Sequence, residues 1–241
     1  MNRIVLAATS ITFALSLGVS AQNPKAESPV FSQDAVYAYM GKNVISPDKQ
    51  RSVRFRVTRD DEVGHFPATV IVKSGKSTLT GEIDFALNAE VLWSPDSKAF
   101  AVSGSKDGAG GLYLTDVFLV GETGLTKIPL SDVIWRAFGQ PVRCGWPEDP
   151  NVGAVAWLRD ATRLLIAAQI IGHTNCDSNF TFKAYEVEIP TRKILHTYSQ
   201  LEAKQLFRQD LGEWLVAAPD GCIENPKSCW VAANHEESKT Q

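Results

Sequence analysis

The chain has 241 residues, with 24 Lys and Arg against 27 Asp and Glu, a net charge of −3, and 44% apolar residues. So balanced a charge, with the basic residues scattered rather than clustered, gives no support to nucleic acid or an anionic membrane surface as partner. The length is enough to bury a substantial core in one β domain.

In chain order, Arg3 precedes an apolar run from Ile4 to Val19 that ends in Val19-Ser20-Ala21. This is the layout of a secretory signal, over 1–21, cleaved before Gln22. Thr9, Ser10, Thr12 and Ser16 interrupt the run, and it is shorter than the roughly 20 residues that a membrane span needs. No Cys lies near the cleavage site to carry a lipid anchor. A periplasmic or secreted protein is therefore expected, with no stable membrane insertion after cleavage. Processing leaves 220 residues (241 minus 21) and, without Arg3, a net charge of −4 (−3 minus 1). Residues 22–29 are polar with two prolines and read as a flexible leader. A single folded domain is expected over 30–232, followed by a polar tail over 233–241.

From Val30 to Met40, the alternation of Val36, Ala38 and Met40 suits a strand, with Tyr37 and Tyr39 on its other face; a short helix also fits. A first unit opens at Val44-Ile45-Ser46-Pro47-Asp48, where Pro pre-sets a turn and Ser and Asp bond the local backbone. Val53, Phe55 and Val57 then alternate with Arg54 and Arg56, followed by apolar strands over 68–73 and 77–83 around Ser74-Gly75-Lys76. This copy carries one turn residue more than its neighbours.

The second unit runs Ala89 to Trp93, the turn Ser94-Pro95-Asp96-Ser97, Lys98 to Ser103, a Gly-rich loop over 104–111, Leu112 to Val120, and Leu125 to Leu130. The third runs Gly153 to Leu158, a turn at Arg159-Asp160, Arg163 to Ile170, Phe180 to Ile189, and Arg192 to Tyr198. Four-stranded units recurring at this interval predict an all-β, propeller-like array of about three antiparallel units, with a β-sandwich as the alternative. An insertion over 131–152 carries Trp135, Phe138, Cys144 and Trp146. After the third unit, Leu201, Gln205, Leu206 and Phe207 predict a short C-terminal amphipathic helix, and Trp214 to Ala217 a strand.

The residues Trp93-Ser94-Pro95-Asp96-Ser97-Lys98 and Phe100-Ala101-Val102, with Ser46-Pro47-Asp48 and Trp157-Leu158-Arg159-Asp160 as weaker copies, resemble the WD40-like blades of periplasmic Tol-system propellers and of the propeller domain of dipeptidyl peptidase-type enzymes. The resemblance covers residues 44–198. It implies a binding scaffold. Closed propellers have about four to eight blades; with three units, the end segments supply an irregular blade, a second copy completes a ring as a homodimer, or the sheets form a sandwich.

Cys144, Cys176, Cys222 and Cys229 are an even number in an exported chain, so disulfides are expected. Cys144–Cys176 with Cys222–Cys229 is favoured among the three pairings, because Gly221, Asn225 and Pro226 make the last two a closed turn. Zinc would want closer Cys pairs. The loop Asp107-Gly108-Ala109-Gly110-Gly111 has too few nearby carboxylates for calcium. The four histidines, His65, His173, His196 and His235, stand at no metal-ligand spacing, so no metal and no cofactor is expected.

No Gly-x-Ser-x-Gly elbow occurs, and Gly75-Lys76-Ser77 lacks the first glycine of a phosphate loop. Catalytic residues are thus not assigned. Trp135 and Trp146, without repeat partners, and His173, beside Cys176, are the candidate binding residues, since exposed aromatic side chains favour interfaces. The function expected is a non-catalytic scaffold for a protein, peptide or envelope component, bound by loops 104–111, 131–152 and 171–179. The alternative is a hydrolase of envelope or extracellular polymers using Asp107, Asp149 or Asp177.

Overall fold

The computed structural model describes residues 30–38, 41–57, 67–85, 87–105, 112–139, 142–144, 146–159, 161–170 and 181–219. The expected signal sequence, leader and polar tail lie outside them. In chain order the strands begin with β1 (Val36–Tyr37) and the first unit, β2 (Val44–Ile45), β3 (Arg51–Val57), β4 (Ala68–Ser74) and β5 (Ser77–Ile83). The second unit is β6 (Leu87–Trp93), β7 (Ala99–Ser105), β8 (Tyr113–Val120) and β9 (Leu125–Pro129). Helix α1 (Ser131–Phe138) and the ribbon β10 (Val142–Cys144) and β11 (Trp146–Glu148) lead to the third unit, β12 (Asn151–Leu158), β13 (Arg163–Gln169), β14 (Phe182–Glu188) and β15 (Lys193–Tyr198). Helices α2 (Gln200–Leu206) and α3 (Glu213–Ala217) follow.

Each unit is one antiparallel meander, β2-β3-β4-β5, β6-β7-β8-β9 and β12-β13-β14-β15, and β1 joins the second sheet beside β6. The chain is thus an all-β, propeller-like array of three sheets. Among the described residues the segments before and after the repeat build no fourth four-stranded sheet: the first supplies β1, and the last forms helices rather than the strand expected over 214–217. A short apolar run does not distinguish strand from helix; here extended Gly212 opens α3, which buries Leu215.

The turn that opens each unit holds one register. Ile45 pairs with Ser52, Trp93 with Phe100 and Trp157 with Leu164, seven residues on in every case. The first unit therefore has no extra turn residue. In the first two units the Ser hydroxyl organises the turn: Arg51 N donates to Ser46 Oγ and Ala99 N to Ser94 Oγ, both at 2.9 Å. Asp48 Oδ1 accepts from Gln50 N and Asp96 Oδ1 from Lys98 N, while Lys49 and Ser97 both take φ 60°. Leu158 replaces the Ser in the third unit, and Ala161 keeps the positive φ at 61°.

What differs between units is whether one face or both are apolar. Position by position, Ser52 and Arg54 of β3 correspond to Phe100 and Val102 of β7 and to Leu164 and Ile166 of β13, because the register is shared. On the second and third sheets this face packs against the preceding sheet. Phe100, Val102 and Trp93 meet Val53, Phe55, Val70 and Val72 of the first sheet in one core, where Trp93, Phe100 and Phe118 stack at 4.8 and 5.2 Å between centroids. Leu164, Ile166 and Tyr185 meet Leu92, Ala101, Val117 and Ile134 in the next. Among the described residues no sheet precedes the first, and its outward face carries Ser52, Arg54, Arg56, Lys73, Thr78, Thr80 and Glu82 around one buried apolar side chain, Ile71. Such a polar face is typical of the end repeat of an array.

The third sheet's last face is covered instead. Val155, Leu165, Ala167, Phe182 and Ala184 pack beneath Phe31, Ala203, Leu211 and Leu215. Ser199 caps α2 in a reciprocal capping box with Glu202, and buried Gln200 accepts from Phe182 N at 3.1 Å while donating to Pro219 O at 2.7 Å. Residues 30–33 clasp this cap: Gly212 N donates to Phe31 O and Gln33 N to Asp210 O, and the Glu90 carboxylate of β6 accepts from Val30 N and Phe31 N. Gly153 leaves the space that the Phe31 ring fills, since a Cβ there would overlap it. Hydroxyls join the second and third sheets: Ala154 N donates to Ser103 Oγ at 2.8 Å and Thr115 Oγ1 to Val152 O at 2.8 Å.

Candidate functional site

In a meander, the turns after first strands lie at one end of the sheets and the loops after second strands at the other. The Ser46, Ser94 and Leu158 turns therefore gather at one end. Here the first strands of all three sheets converge on a cleft of about 470 Å³ lined by Asp34, Val36, Ile45, Pro47, Val91, Leu92, Trp93, Pro95, Ala156, Trp157 and Asp210. This volume is within the range of about 300–1,000 Å³ typical of ligand sites.

Its walls are fixed by a repeated latch. The indole of Trp93 donates to Val44 O at 3.3 Å, and that of Trp157 to Leu92 O at 3.0 Å. Val44 and Leu92 are equivalent residues, each one before the position at which Trp93 and Trp157 stand. Each Trp thus ties the first strand of its own sheet to that of the preceding sheet. The first sheet has nothing to latch onto, and at the same position it carries Ile45, left 55% exposed in the cleft. Val36 adds a second apolar side chain, 37% exposed. Exposed apolar side chains in a concave surface mark a binding site more often than scattered ones do.

Two carboxylates complete the lining, one from each side of the clasp. Asp34 follows Gln33 and Asp210 precedes Leu211, so the pairing of 30–33 with 210–212 brings them together. Asp34 is exposed and Asp210 half-buried. Partial burial, and secondarily the charge of Asp34, push the Asp210 carboxyl above its ordinary value. A cation entering here meets two acids, one of them poorly solvated.

None of the candidate residues singled out by sequence that are described lines the cleft. Trp135 is on α1, half-buried against the core between the second and third sheets, and its indole donates to Pro150 O at 2.9 Å; it does not line the cleft. Trp146 stands on β11 opposite Cys144, and the side chains of both lie outside the described residues, as do Asp107, Cys176, Asp177, His173, Cys222 and Cys229. Asp149 is exposed and away from the cleft lining. Loops 106–111 and 171–180 also lie outside the described residues. Among the described residues no group of three or more His, Cys, Asp and Glu side chains is placed to hold a metal.

Sequence reasoning missed Val36, Ile45, Asp34 and Asp210. For Ile45 a signal existed, an aliphatic residue at the Trp position of the repeat. For the two acids none did, because only the clasp joins them.

No family model and no curated protein matches the chain. Among solved structures it is similar to the Pyrococcus horikoshii acylaminoacyl peptidase in its orthorhombic crystal form, with a TM-score of 0.39 and 11% identity over 67% of this chain and 25% of that one. It is also similar to the apo AtxE2 isopeptidase, with a TM-score of 0.42 and 10% identity over 75% of this chain and 34% of that one. The chain therefore spans a quarter to about a third of the length of these solved chains. The likeness is one of strand arrangement alone, and the propeller-like fold rests on the sheets and registers described above.

Proposed function

We propose that this protein is an exported, non-catalytic binding module that receives an extended segment of a peptide or protein in the axial cleft. The observation that supports this reading best is the exposure of Ile45 and Val36 within a concave, Trp- and Pro-walled site. Both Trp side chains are held by hydrogen bonds to backbone, so little rotamer freedom remains to be lost on binding. Export rests on the signal layout of residues 1–21.

Titration of apolar decapeptides into the intact protein, followed by Trp fluorescence, is expected to give saturable binding that Ile45→Asp abolishes. Binding left unchanged by that substitution would move the site elsewhere. A second reading, a hydrolase, is favoured by one observation: Asp34 and Asp210 share the cleft, and Asp210 holds its proton more firmly than an ordinary Asp. A carboxyl group with a raised pKa suits a general acid. Product release from peptide, ester or glycoside substrates, lost in Asp210→Asn, would replace the binding reading with this one.

A further inference from the structure

The geometry points to the occupant of the cleft: an extended peptide segment whose apolar side chains lie on Ile45 and Val36 and whose one cationic group, a Lys or Arg side chain, seats between Asp34 and Asp210. This rests on the binding reading above and gives the ligand its chemistry.

The occupant is extended because of the edges that meet at the cleft. Among the described residues β1, β2 and β12 each stand last in the strand order of their sheet, and Val36, Ile45, Ala156 and Trp157 of these strands line the site. An edge strand presents backbone donors and acceptors to any chain laid beside it. Along most of β12 this edge is already occupied, since Ala154 N and Val152 O are held by Ser103 and Thr115; the part left to the cleft begins at Ala156.

A cation is favoured by charge complementarity. The lining includes two acids and no Lys, Arg or His, and the clasp brings them near enough for the charge of Asp34 to act on Asp210. A second acid brought by a ligand would meet like charge on both sides, whereas an ammonium or guanidinium relieves the repulsion that already exists.

The test uses three acetylated and amidated hexapeptides, Ala-Leu-Val-X-Val-Leu, with X as Lys, norleucine or Glu. Each is titrated into the full mature chain by calorimetry, with Trp fluorescence as a second readout. The Lys peptide is expected to bind at least about fivefold more tightly than the norleucine peptide, as one partly screened ion pair supplies about 1 kcal/mol, and the Glu peptide more weakly than either. Asp34→Asn and Asp210→Asn, each alone, should narrow the gap between the Lys and norleucine affinities. The Lys preference should also shrink as pH falls and Asp210 takes up a proton. Equal binding of all three peptides, lost in Ile45→Asp, would overturn the cationic occupant and leave the binding reading standing. Failure of every peptide to bind would overturn both.

Discussion

The first and second sheets share a turn, a register and a strand order, yet the second buries both faces of a strand of which the first buries one. β3 hides Val53 and Phe55 and shows Ser52, Arg54 and Arg56 to solvent; β7 hides Phe100 and Val102 on the face where β3 is polar, and Ala101 on the other. The turn does not decide this. Ser46 and Ser94 make the same bonds, so local chemistry fixes the hairpin and the presence of a neighbour fixes the polarity. The same logic explains Ile45 against Trp93: a Trp at this position is useful only where a preceding sheet offers a carbonyl.

The largest effect should come from exchanging those faces. Val102→Arg places an unpaired cation in the core between the first two sheets, at a cost on the order of 5 kcal/mol, comparable to the whole stability of a small domain. No folded, soluble fraction is expected on gel filtration. Arg54→Val, at the equivalent position, should change the urea midpoint little, because its site is half-exposed. It should instead raise self-association, by turning the terminal polar face apolar. Equal destabilisation by both substitutions would mean that the two sheets are not terminal and interior.

A smaller effect separates the latch from its empty counterpart. Trp93→Ala removes a side chain 8% exposed together with its bond to Val44 O, for a loss of about 3–5 kcal/mol. Ile45→Ala should cost less than about 1 kcal/mol, as most of that side chain is already in water. Chemical denaturation of the two variants measures the ratio. Since Ile45 lines the cleft, its variant should lose ligand affinity where Trp93→Ala loses stability.

Much of this contrast was legible in the sequence, and its meaning was not. Apolar residues at Asp48 plus five and plus seven, against Asp96 plus four and plus six, look like one inserted residue. The register shows the same span: among the described residues the first sheet is apolar on the face toward its successor, whereas the second is apolar on both and carries its larger side chains, Phe100 and Val102, toward its predecessor. Period-2 patterning reports which face is buried, and a shift in phase reads the same whether a residue is added or a partner removed. The strand order and α2 followed from local patterns. Helix α3 did not: five residues are too few to show a period, and its start depends on Leu211 pairing with Ser32 from the opposite end of the chain. The acid pair depends on the same long-range contact, and for that reason the candidate residues of the insertion, conspicuous by composition, drew attention away from the cleft.

Glu90 sharpens the comparison through pH. By register it corresponds to Lys42 of the first unit, which is exposed, whereas Glu90 is 2% exposed and receives the backbone of Val30 and Phe31. Burial raises its pKa to about 7 despite those two hydrogen bonds, against 4.5 for an unperturbed Glu. The folded protein therefore binds more protons than the unfolded chain between these values, and stability must fall as pH rises from about 4.5 to about 7. The gap corresponds to about 3 kcal/mol. Asp116, raised to about 6 mainly by burial, adds a loss of the same sign over a window that ends lower. Urea midpoints at pH 5 and pH 8 should show the native chain weaker at pH 8. Glu90→Gln should remove most of that difference and leave the part due to Asp116. Lys42→Gln should leave the profile untouched. If Glu90→Gln kept the full pH dependence, the N-terminal clasp would not be held by a buried carboxylate, and the cap over the third sheet would have to be fixed by the Phe31 and Gly212 contacts alone.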